Sequence, residues 1–212
     1  MLDVHPPTAT IHGWKDFFIH IATITIGLLI AIALEQTVEY VHHLDQLATV
    51  RQELSAELSD NRQVMKRNLA MVNAVRAKLD SNMALLRASQ LSHATFNGKL
   101  DYSYNFYRTP DGAWQAAKEK SAFGLMPRDE LRANVYLYAV FGAFMDSLNG
   151  LTDKLDNAAA ITRRGPNGAL SSRDIDELVT TTSEAEGKLD FVTRMLGYEE
   201  NGLNSRIKKL NS

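Results

Sequence analysis

Hydrophobic and polar positions along the chain fall into one uncharged block followed by several periodic stripes. The block runs from Phe17 to Leu34, 18 residues without a formal charge, inside the stretch "WKDFFIHIATITIGLLIAIALEQTVEYVHH". That length reaches the short end of the ~17–25 residues that cross a bilayer as a helix. Trp14 and Tyr40 bracket it, where amphipathic rings favour the headgroup region. A cleaved signal peptide fits badly: the run is long for such a segment and leads into Glu35-Gln36-Thr37-Val38-Glu39 without a small-residue cleavage site. A soluble core helix is the other rival.

Helical spacing orders the block. Asp16, His20, Thr23, Gly27, Ala31 and Glu35 follow at steps of three or four and form one stripe, while Ile21, Leu28, Leu29 and Ile32 lie largely off it. Small residues spaced by four let helix backbones approach in lipid, so the stripe is expected to be a transmembrane contact face.

No glycine occurs between Gly27 and Gly98, and no proline before Pro110, which predicts helix for most of that length. Met65, Leu69, Val72, Leu79, Met83 and Leu86 keep a near-heptad rhythm, with Arg76 at the missing step, as in a coiled-coil seam. Ser59-Asp60-Asn61 is the one candidate break, because these side chains compete for backbone hydrogen bonds, and the sequence leaves open whether the helix breaks there.

Residues 88–109 read as a polar connector with aromatics. Thr109-Pro110 then predicts a short helix and Pro127 a longer one, whose stretch "VYLYAVFGAFM" is too short to span and suits the centre of a bundle. "RRGPNGALSS" is a loop; Ser171 and Ser172 cap a last helix with an apolar stripe at Ile175, Leu178, Ala185, Leu189, Val192 and Leu196, ending at Gly197. No strand pattern competes. The expected fold is therefore all-α: an N-terminal transmembrane helix continuous with a long helix, and an antiparallel helical bundle outside the membrane. Its divisions are a leader 1–13, an anchor 14–40, a stalk 41–97 and a bundle 98–212.

Composition narrows the chemistry. The 212 residues carry a net charge of -2, which gives no electrostatic reason to expect nucleic acid. A mean hydropathy of -0.22 confines any membrane portion to a short part of the chain. There is no cysteine, so disulfides, thiolate metal sites and cysteine nucleophiles are excluded together. From Glu35 to Asp60 six acids accompany one base, Arg51; from Asn61 to Arg87 six bases accompany one acid, Asp80. An acidic collar is repelled by an anionic cytoplasmic leaflet, and Lys15 on the other flank agrees with an outside location for the bulk of the chain.

The histidines invite a haem or metal reading, through His20 or the pair His42 and His43. Adjacent helical residues point about 100° apart, so the usable ligand sets are Glu39 with His43 or Glu39-x-x-His42. A di-iron bundle needs a second Glu-x-x-His, and none is present. Phosphate-binding glycine loops, nucleophile elbows and zinc-helix motifs are also missing, so no catalytic residue and no cofactor is expected. Trp114, Tyr102, Tyr104 and Tyr107 are expected as core cover rather than pocket lining.

The pieces "IHGWKDFFIHIATITIGLLIAIALEQTVEYVHH", "AWQAAKEKSAFGLMP" and "RMLGY" resemble a family of uncharacterised small bacterial single-pass membrane proteins. Its members carry a His/Pro-rich leader, one hydrophobic helix ending in Glu-x-x-x-Glu and His-His, and a helical C-terminal region. The resemblance implies a bacterial inner-membrane protein and carries no activity. The expected function is a non-enzymatic scaffold or accessory subunit working through helix contacts, with lipid and other transmembrane helices as partners. An extracytoplasmic ligand-sensing bundle is the alternative.

Overall fold

The computed structural model describes residues 13–92, 96, 98–119, 122–164 and 169–210. All but the last residue of the expected leader, together with Gly165, Pro166 and Gly168 of the expected loop, lie outside them. The described chain is all-α: α1 (Trp14–Ser92), α2 (Gly112–Glu119), a single 3-10 turn (Ala122–Gly124), α3 (Arg128–Ile161) and α4 (Ser172–Leu210). One isolated antiparallel bridge joins Phe96 to Leu170. The chain forms two compact units, residues 1–48 and 49–212.

The first unit is the N-terminal part of α1. Gly13, at φ 96°, turns the backbone into the helix, and its carbonyl accepts the Asp16 and Phe17 amides at 3.1 and 3.5 Å. Only glycine takes that φ without strain. From Gly13 to His42 every residue is exposed. This helix is long and apolar enough to cross a membrane, and its most apolar 18-residue window has none of its residues buried.

The second unit is a helical bundle with an extended strap, residues 98–111. Along α1, Leu54, Leu58, Asn61, Met65, Asn68, Val72, Val75, Leu79, Asn82 and Leu86 are buried, in steps that alternate between four and three. Such a seam keeps one face toward a partner. Leu69, expected in it, is instead exposed, because the seam steps from Met65 by three to Asn68. At the candidate break Ser59-Asp60-Asn61 the helix runs on: the Asn61 amide donates to the Pro110 carbonyl at 2.9 Å and leaves its own backbone to the helix.

Ion pairs and hydrogen bonds fix the directions. Arg51 meets Glu130 and Glu57 meets Tyr138, so α1 and α3 run parallel. Arg76 meets Asp190 and Gln90 meets Asp176, so α4 runs antiparallel to α1; Lys154–Glu184 and Arg164–Glu177 show the same for α3 and α4. The antiparallel packing expected for the later helices thus holds for α4, whereas α3 is brought parallel to α1 by the strap.

Helix ends follow local chemistry. α2 begins at Gly112, two residues after the expected Pro110, with the Asp111 carbonyl taking the Gln115 amide. Pro127 stands just before α3 and its carbonyl accepts the Leu131 amide at 2.9 Å. Ser171 and Asp174 cap α4 reciprocally: the Ser171 hydroxyl accepts the Asp174 amide and the Asp174 carboxylate accepts the Ser171 amide. α4 does not stop at Gly197 but continues to Leu210, burying Leu203 and Arg206. Gly197 has an ordinary helical backbone rather than the left-handed turn of a helix terminus.

Candidate helix-contact site

Asp16, His20, Thr23, Gly27, Ala31 and Glu35 all lie on α1 and all are exposed. A Cβ added at Gly27 meets nothing within 4 Å. Two polar side chains within the apolar run bond to their own helix: His20 Nδ1 donates to the Asp16 carbonyl at 3.0 Å and Thr23 Oγ1 to the Ile19 carbonyl at 2.8 Å. Internal pairing of this kind is what hydrocarbon surroundings demand. The acceptor of His20 is thus the backbone oxygen of Asp16, four residues earlier. At the start of the helix Trp14, Phe17 and Phe18 form a ring cluster with centroids 5.8–6.1 Å apart. At the other end His43 stands 3.8 Å from Glu39. Among the described residues no three His, Asp or Glu side chains gather in a way that could hold a metal ion.

Three asparagines on α1 form a ladder that sequence reasoning missed. Asn82 Nδ2 donates to the Asp101 carbonyl and Asn82 Oδ1 accepts the Asp101 amide, at 2.9 and 3.0 Å. Asn68 repeats both bonds with Tyr107, each at 2.9 Å, and Asn61 reaches the Pro110 carbonyl. A heptad of helix rises about 10.5 Å. Three extended residues rise about 10 Å. Asn61, Asn68 and Asn82 therefore stay in register with residues 110, 107 and 101 of the strap, which runs against α1. The legible signal was the spacing of seven and fourteen between identical polar residues on a seam.

The strap is bolted at its sides as well. Tyr102 is buried with its hydroxyl 2.7 Å from Thr182 Oγ1, and burial raises its pKa above the usual phenol value. Tyr104 reaches Asp156 at 2.9 Å. Lys78 donates to the Ser103 carbonyl, and hydrogen bonds from Ser103, with Lys78 beside it, hold the Asp101 carboxyl below its usual range. Trp114 and Tyr102 are core cover as expected; Tyr107 is not, being 39% exposed under the Arg67 guanidinium.

Two buried polar clusters tie α1 to the rest of the bundle. The Glu57 carboxylate accepts the Ala113 amide at 2.6 Å, the Trp114 amide at 3.4 Å and the Tyr138 hydroxyl at 2.5 Å. It thus caps α2 from another helix, where an anion is favoured. Trp114 stacks on Tyr138 with centroids 4.7 Å apart. Burial, reinforced by the Glu57 charge, pushes the Tyr138 hydroxyl far above the ordinary phenol value.

In the second cluster Arg51 forks onto Glu130 at 3.1 and 2.6 Å, while Arg206 bonds Asn134 at 2.7 Å and reaches Glu130 at 3.4 Å. Burial raises the Glu130 pKa, but the Arg51 hydrogen bonds and the two guanidinium charges outweigh it, so the net shift is downward. A carboxylate with a depressed folded pKa contributes stability above its unfolded pKa of about 4.3 and loses it as the pH falls through the folded value. Glu130→Gln is expected to flatten the stability curve in that acid window. Urea titrations between neutral pH and the acid limb check this; an unchanged slope contradicts it.

An open groove of about 710 Å³ is lined by Ser147, Lys154, Glu184, Gly187, Lys188 and Phe191. No protein-family model matches the chain, and neither a curated protein nor a solved structure matches it.

Proposed function

We propose that the protein is a non-enzymatic, membrane-anchored helical scaffold or accessory subunit, held in the bacterial inner membrane by residues 17–34, with its bundle on the extracytoplasmic side. The observation that carries this reading is the exposed apolar helix, in which His20 and Thr23 bond to carbonyls of their own helix. Exposing so much apolar surface to water is strongly unfavourable, whereas lipid accepts it. The polar clusters of the bundle, for their part, fix elements against one another. They support a rigid body that presents surfaces.

Small residues on the anchor make its stripe the working face, because association in lipid depends on close backbone packing. Gly27→Ile is expected to weaken capture of native partner helices from mild detergent, while Leu29→Ile, off the stripe, leaves it intact. Equal behaviour of the two variants counts against the contact face. For orientation, single cysteines at Ser59 or Ser172 should react with an impermeant maleimide in intact cells whose outer membrane is permeabilised. Labelling only after lysis reverses the topology.

The α3–α4 groove favours a second reading, a ligand-sensing bundle. Phe191→Trp gives that reading a fluorescent reporter at the groove.

A further inference from the structure

The groove between α3 and α4 holds a charge that the bundle leaves unbalanced. Lys154 and Glu184 meet across it at 2.5 Å and cancel. Lys188, one turn further along α4, has neither an ion pair nor a hydrogen bond among the described residues. Its stem does not simply extend into water but crosses to α3. A Cβ placed at Gly150 would stand 3.4 Å from its Nζ, 3.8 Å from Cε and 3.9 Å from Cδ. The ammonium thus lies on the neighbouring helix, in space that the missing side chain of Gly150 leaves.

Gly187 opens the groove beside that lysine. A Cβ there meets nothing within 4 Å and its φ is not positive, so neither a close helix approach nor a turn requires glycine. Glycine inside a helix is unfavourable relative to alanine; without either cause, it leaves backbone open to the close approach of a ligand. Phe191, three residues after Lys188 and so on the same face of α4, walls the groove and is 48% exposed. Ser147 donates its hydroxyl hydrogen to the Ala143 carbonyl at 2.8 Å and therefore adds no second donor for an anion. The volume of about 710 Å³ falls within the ~300–1,000 Å³ of small-molecule clefts.

We propose that this groove binds a small aromatic carboxylate, with its ring against Phe191 and Gly187 and its carboxylate on the Lys188 ammonium. The proposal rests on the reading of the groove as a ligand site and names the class of its ligand. Charge decides that class. One uncompensated cation beside Glu184 matches a monoanion, whereas a phosphate monoester, with a charge of about −1.5 to −2, would bring excess negative charge up to Glu184. The exposed Phe191 ring selects the body, because a second ring pairs with it in offset or edge-on geometry and both lose apolar surface to water. A charge-assisted hydrogen bond from Lys188 then sets the orientation.

The probes are para-fluorobenzoate and its neutral isostere para-fluorobenzamide. Each is titrated with the full-length chain in mild detergent, and binding is read from fluorine NMR line widths against detergent alone. Lys188→Met keeps the stem and removes the charge. Gly187→Leu fills the groove at a helical position where a Cβ meets nothing within 4 Å, and circular dichroism checks that both variants keep their helices. The expected result is that the benzoate binds at least about tenfold more tightly than the benzamide, and that each variant weakens it by at least about tenfold, through loss of a charge-assisted hydrogen bond or of the space for the ring. Equal binding of the two probes, both lost in Gly187→Leu, would overturn the anionic class and leave the groove standing as a ligand site. Benzoate binding that either variant leaves intact would overturn the arrangement proposed for it. Binding of neither probe to the folded chain would overturn the proposal together with the ligand reading of the groove.

Discussion

Replacing Glu57 by leucine is expected to lower the stability of the bundle by on the order of 3 kcal/mol, through groups left without an acceptor in a dry site. The Tyr138 hydroxyl donates to Glu57 at 2.5 Å, and the first amides of α2 lean on the same carboxylate. Removing it strands a buried phenol and uncaps α2. Glu57→Gln retains an oxygen acceptor and should lose less, and Tyr138→Phe removes only one of the three donors. The Leu and Phe changes share the Tyr138 bond, so their effects should not add. Urea unfolding of the full chain in mild detergent measures this; a loss from Glu57→Leu no larger than that of an exposed change such as Asp60→Leu would refute the buried-cap account.

Phe144→Ala should cost more, about 3–5 kcal/mol, the range for deleting a fully buried aromatic side chain from a close-packed core. Phe144 has no exposed surface and shares its level of α3 with Phe141 and Leu148, both buried. Val135 and Tyr136, on the same helix but 48% and 72% exposed, provide the contrast: Tyr136→Ala should change stability by under about 0.5 kcal/mol. Similar losses at 144 and 136 would mean that α3 packs through a different face.

What the sequence made legible follows from periodicity. The uncharged run and the stripe of α4 from Ile175 to Leu196 could be read because each side chain's fate depends on its own helix's period. The strap could not be read that way. Its residues 98–111 lack regular structure and bond to side chains of a distant helix, so nothing local announces them. The same blindness misplaced Asn61, whose amide looked like a competitor for the local backbone until Pro110 was known to be its partner. Leu69 lost its seam place to Asn68 because two bonds to Tyr107 make the asparagine the better buried residue. Gly197 was misread as a stop because a glycine ends a helix only when the backbone turns there, and α4 instead runs on to bury Leu203 and Arg206.

The central claim is that residues 17–34 hold this chain within a lipid bilayer. Its most direct test is alkaline carbonate extraction of native membranes, which strips proteins bound by surface contacts and leaves those whose apolar helices lie in hydrocarbon. The account predicts that the full-length chain stays in the membrane pellet, and that a variant with Leu28 and Leu29 both replaced by aspartate is released. Release of the unaltered chain into the supernatant would contradict it.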